Sequence, residues 1–92
     1  MRLMPQHLAA MYDLLASIPP FTKYRLPRWD KVEFTVSRSR MLMGSYDGDP
    51  HHISISSTHC DTYQKALETM AHEMIHLALE VLEAIFTIWE NL

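Results

Sequence analysis

Two histidines four residues apart flank a glutamate in the run His72-Glu73-Met74-Ile75-His76. On a helix, residues four apart sit one turn above each other, so both imidazoles can reach one metal ion. For zinc the nitrogen–metal distance would be about 2.0–2.1 Å. Glu73 points one residue round, toward the position such an ion leaves open. A carboxylate there can take a proton from a zinc-bound water, whose pKa the metal lowers to about 7. A catalytic zinc needs a third protein ligand beside that water. The run therefore supplies two ligands, His72 and His76, and a general base, Glu73, for hydrolysis with Zn2+ as cofactor.

A helix must carry this run, and the flanking sequence predicts one. From Asp61 to Asn91 there is neither Pro nor Gly, and Asp61 with Gln64 three residues on has the form of a cap. Steps of 100° gather Leu67, Met70, Ala71, Met74, Ala78, Val81, Leu82, Ile85 and Ile88 into one apolar arc. His72 and His76 fall on the opposite, polar side with Lys65, Glu80, Glu83 and Glu90. At 1.5 Å per residue the helix would be roughly 45 Å long.

Upstream, Pro5 to Ile18 reads as a first helix, with Leu8, Met11, Tyr12, Leu15 and Ile18 at helical spacing, ended by Pro19-Pro20. Residues 21–30 read as a loop. Lys31–Ser37 alternates Val32, Phe34 and Val36 with polar residues, as a half-buried strand does. A tight connection around Arg38-Ser39 leads to a second strand, Met41–Tyr46. Asp47-Gly48-Asp49-Pro50 then turns the chain into a third, His52–Ser57. The expected fold class is α+β: an N-terminal helix (5–18), a three-stranded, largely antiparallel sheet (31–57) and a long C-terminal helix (61–91), in one domain. With 92 residues there is no length for a second.

Composition narrows the function classes. A net charge of −3 argues against nucleic acid as partner, because phosphate contacts need clustered cations. Arg25, Arg28, Lys31, Arg38 and Arg40 concentrate positive charge in the middle third and read as a solvated face. A single cysteine, Cys60, excludes an intrachain disulfide and a multi-cysteine zinc site, and fits a reducing, cytoplasmic compartment. The N-terminus has no signal-peptide pattern. Glu80, Glu83 and Glu90 interrupt the apolar C-terminus, so no membrane span is expected.

The order of helix, three-stranded sheet and Glu68-Thr69-Met70-Ala71-His72-Glu73-Met74-Ile75-His76-Leu77 resembles the SprT-like zinc metallopeptidases, which include short phage and bacterial members. The likeness covers roughly residues 5–80. Met43-Gly44-Ser45-Tyr46 and Ile53-Ser54-Ile55-Ser56 are similar to that family's pattern upstream of its active helix. The resemblance implies a minimal zincin-like core and a zinc metalloendopeptidase activity, with His72 and His76 as ligands and Glu73 as general base. It also implies a peptide substrate extended along a sheet edge. The family continues with a loop and a third ligand, usually a histidine. Here sixteen residues follow His76 and none is histidine.

The chain's own candidates for that ligand rank by geometry. Glu80 continues the series but lies about 12 Å along the axis from His72. His59, just before the helix, is too far from the motif. His51 shares parity with Ile53 and Ile55 and would face the helix at the motif's height, which makes it the candidate third ligand. The alternative for His51 and His52 is an exposed turn beside Asp49-Pro50. His7 reads as a surface residue of the first helix.

Ile85, Phe86, Ile88 and Trp89 would project past so small a sheet, which predicts a homodimer through the C-terminal helix. The alternative function is accordingly a non-catalytic metal-binding or dimerising module that retains the motif helix.

Overall fold

A computed structural model describes residues 2–91. The fold is α+β, with an N-terminal helix, a three-stranded mixed sheet and a long C-terminal helix. Helix α1 spans Pro5–Ala16. Its proline needs no hydrogen-bond partner in the first turn. The Met4 backbone N–H, left free at the helix start, donates to His7 Nδ1 at 3.0 Å. His7 thus has a local job, and its ring also meets Tyr63 edge-on at 5.6 Å. Leu8, Tyr12 and Leu15 are the buried stripe. The helix stops two residues short of Ile18, which is largely exposed. Residues 21–30 are not plain loop: Phe21–Lys23 and Trp29–Lys31 form single 3-10 turns. The Tyr12 hydroxyl donates to the Pro27 carbonyl at 2.5 Å and fastens this segment to α1.

Strands β1 (Glu33–Ser37), β2 (Gly44–Gly48) and β3 (His51–Ser56) lie in the order β1-β3-β2. β2 and β3 form the expected antiparallel hairpin, but β1 pairs with β3 in parallel, with Phe34 opposite Ile53 and Val36 opposite Ile55. The sheet is therefore mixed, not largely antiparallel. The cause lies between β1 and β2. Residues 38–43 do not make a tight turn but arch across the end of β3. Residues 56–59 hold the arch: Ser56 N and Ser57 N donate to the carbonyls of Met43 and Ser37 at 2.8 and 2.9 Å. Ser56 Oγ donates to the Ser39 carbonyl at 2.7 Å, and His59 Nε2 meets the Arg40 carbonyl at 2.7 Å. Met41–Met43 consequently belongs to the arch and is exposed, where the sequence pattern suggested strand.

One face of the sheet is covered. Phe34, Val36 and Tyr46 pack against the buried core from that side, with Ile53 and Ile55 fully buried at its centre. α1 lies against β1, and Tyr12 meets Phe34 edge-on at 5.5 Å. Helix α2 (Tyr63–Glu90) lies against β2, β3 and α1. Its cap is Thr62, not Asp61: the Thr62 hydroxyl oxygen accepts from Lys65 N at 3.1 Å. Asp61 instead accepts from Lys65 Nζ at 2.8 Å, one helical turn away.

Met70, Met74 and Leu77 of α2 are fully buried, each contributing about 1.5–3 kcal/mol by its removal from water. Burial ends near Ala78. Ile85 and Ile88, expected on the core-facing arc, are exposed because the 28-residue helix outruns the sheet that would cover them, and Leu82, expected with them, is exposed at the margin of that arc. No helix among the described residues is long and apolar enough to cross a membrane.

Candidate metal centre

The motif falls in the part of α2 that crosses the sheet. Its periodicity divides the run: Met74 and Leu77 enter the core, while His72, Ile75 and His76 face outward. The two imidazoles meet across one turn, with Nε2 to Nε2 at 3.3 Å and ring centroids 5.0 Å apart. Two nitrogens bound at about 2.0–2.1 Å to one tetrahedral ion stand about 3.3–3.4 Å apart. The separation of the pair matches two corners of such a site.

Glu73 is only 6% exposed, more buried than its place beside the polar stripe implied. It sits where α2 crosses the edge strand β2, and it lines two open clefts. One, of about 430 Å³, is bounded by Tyr46, Glu73, His76, Leu79, Glu80 and Glu83. The other, of about 410 Å³, is bounded by Met43, Gly44, Glu68, Thr69, His72 and Glu73. The carboxylate is the ridge between them, with one motif histidine in each.

Gly44 makes this crossing possible. A Cβ there would stand 2.8 Å from Thr69 Cγ2 and 3.1 Å from both Glu73 Oε2 and the Ser54 carbonyl. Helix and strand can close to this distance only over a bare backbone. A lone glycine in a predicted strand was the sequence signal for it. Gly48 differs: its Cβ would overlap the Glu80 carboxylate, the mobile end of a long side chain. We expect Gly44→Ala to lower unfolding free energy by about 1–3 kcal/mol, as overpacking does. Gly48→Ala should stay within about 0.5 kcal/mol, because Glu80 can swing into solvent. Urea unfolding of both variants checks the contrast, and equal losses would contradict it.

His51 does lie on the helix side of the sheet, but it is neither an exposed turn residue nor close to both histidines in a ligand set. Its Nδ1 is 2.6 Å from the Tyr46 hydroxyl, and the rings stack at 6.0 Å. Tyr46, which sequence reasoning did not single out, thus joins His51 to the cleft. Burial, and next the Glu80 carboxylate beside it, hold its phenol well above the ordinary value. The group therefore stays protonated, and so a hydrogen-bond donor, throughout the neutral range. His52 faces the open side of the sheet and pairs with Thr35 at 2.6 Å. His59 is spent on the arch. Among the described residues, no group of three or more His, Cys, Asp or Glu side chains is placed to hold a metal ion. The structure brings His72, His76 and Glu73 together, and it does not bring His51 to them.

No family model matches the chain, and neither the curated proteins nor the solved structures include a match to it.

Proposed function

We propose that the chain is a minimal zinc-dependent metallopeptidase of the SprT-like type, with His72 and His76 as metal ligands and Glu73 as general base. The observation that carries this reading is the 3.3 Å separation of the two Nε2 atoms, with the buried Glu73 carboxylate beside them on the same helix. Zinc, when bound, would lower the pKa of a coordinated water and polarise a carbonyl.

The chain's own groups do the rest. Glu73, whose carboxylate lies beside the bare backbone of Gly44, is placed to accept a proton and pass it to the leaving amine. β2 ends the sheet on this side, so its outward N–H and C=O groups are free to pair with an extended peptide. Such a peptide would run along Gly44–Gly48, past Glu73 and between the two clefts. The Tyr46 hydroxyl, paired with the His51 ring, stands beside that path. An intracellular setting fits the single buried cysteine.

Purified wild-type chain is expected to carry zinc, and His72→Ala to lose it, in metal analysis of both proteins. Equal zinc in the two would remove the assignment. The second reading, a module that retains the helix without turnover, draws on the exposed apolar side chains past Ala78. It separates from the first by peptide hydrolysis in the presence of zinc.

A further inference from the structure

Helix α2 is apolar on two opposite sides. One is the core stripe through Met70, Met74 and Leu77. The other is formed by Ile75, Leu79, Leu82, Phe86 and Trp89, which are 45% to 72% exposed. Their spacing alternates four and three residues, the seam of a two-stranded coiled coil. Ile75 and Leu79 sit where the sheet covers the helix from behind, so the overhang does not explain their exposure. These five side chains leave on the order of 600 Å² open. Ile85 on the seam's flank brings the patch to roughly 700 Å², close to the 800 Å² per partner of a standard interface.

We propose that a second copy of this chain covers the seam, its helix running antiparallel, and that Glu83 or Glu90 of that copy supplies the third ligand to the His72 and His76 pair. The seam is turned away from the core stripe, so the sheet packs on a different side of the helix from the one a second copy would cover. The flanks decide the direction. On one side of the seam stand His76, Glu83 and Glu90, and on the other Ala78 and Ile85. A parallel pair sets the first row against the second and makes no polar match. An antiparallel pair sets the first row against itself and opposes the helix dipoles favourably.

Two registers interleave the seam, placing Leu79 against either Leu82 or Trp89 of the second copy. The first brings Glu83 of that copy within about two residues, roughly 3 Å of axial rise, of His76. The second brings Glu90 there. Either way a carboxylate, a proper third ligand for zinc, arrives beside a histidine pair that no third side chain of the described residues joins in a ligand set. This half of the inference rests on the zinc assignment above. The pairing does not.

Sedimentation equilibrium of the full chain with and without zinc, together with zinc titration, tests both halves. Wild type should be dimeric. Leu82→Glu, an exposed change whose fold circular dichroism can verify, should be monomeric and bind zinc at least about tenfold more weakly with His72 and His76 intact. The double variant Glu83→Gln, Glu90→Gln should remain dimeric and lose zinc affinity to a similar extent. A monomeric wild type in both conditions overturns the pairing, as does a dimer that survives Leu82→Glu. A dimer whose zinc affinity ignores the Glu83 and Glu90 changes overturns the shared ligand. A wild-type dimer that takes up no zinc overturns the zinc assignment and the shared ligand with it, while Leu82→Glu still reports on the pairing.

Discussion

Glu73→Gln should lower peptide hydrolysis by about 10²–10⁴-fold, the usual contribution of a positioned general base, while the zinc content of the protein stays unchanged. Glutamine keeps the length and shape of the side chain, so the fit beneath Gly44 and Thr69 is preserved. What it loses is the ability to accept a proton. The two imidazoles, 3.3 Å apart on the outer side of the same turn, keep their geometry. A fluorogenic peptide assay beside metal analysis separates the effects. Loss of both activity and zinc would mean that Glu73 organises the site rather than serving as its base. Unchanged hydrolysis would remove the base role altogether.

Ile55→Ala should cost about 2–5 kcal/mol in unfolding free energy, through lost burial and the cavity left behind. Ile55 is fully buried on the central strand, with Val36 opposite on β1 and Gly44 opposite on β2. Glycine offers no side chain to refill the space, and Val36 is held by its own strand. A domain of this length has about 5–14 kcal/mol in total, so this one substitution removes a large share. Tm should fall by roughly 10–30 °C in a calorimetric scan. A shift of a degree or two would mean that the sheet closes around the void. Because the sheet backs α2 at the motif, zinc affinity should fall with temperature in parallel with the folded fraction.

Some of this was legible because the signals were local. Alternation marked Phe34, Val36, Ile53 and Ile55 as one face, and Asp49-Pro50 marked the hairpin. The placement of His72 and His76 on the outward side of α2 follows from a 100° step alone. The parallel partner of β3 was not legible, because strand order depends on where a connection goes and not on the strands themselves. Hydroxyls at Ser56, Ser57 and Thr58 direct residues 38–43 across the sheet end, and no periodicity encodes that. The cap moved from Asp61 to Thr62 because two competent side chains stood side by side and a salt bridge with Lys65 engaged the first. The burial of Glu73 was missed for a related reason. It depends on the backbone at Gly44 coming close, which is a property of two distant segments at once. For the third ligand, parity carried His51 to the correct side of the sheet and the Tyr46 hydroxyl then claimed its ring.

The central position of β3 also sets which loops folding must close. β2 and β3 are joined by a short turn and can pair early, at little entropic cost. Among the described residues, β1 pairs with β3 alone and so enters the sheet through the central strand. Its docking must close the larger loop through the arch, and it waits on Ser56, Ser57 and Thr58 to receive the arch carbonyls. Helix α2 rests on β2 and β3 beneath the motif and on α1 beside them. The surface that carries His72, Glu73 and His76 is therefore backed by the two hairpin strands, which lie close in sequence, while β1 joins the sheet through the longer connection.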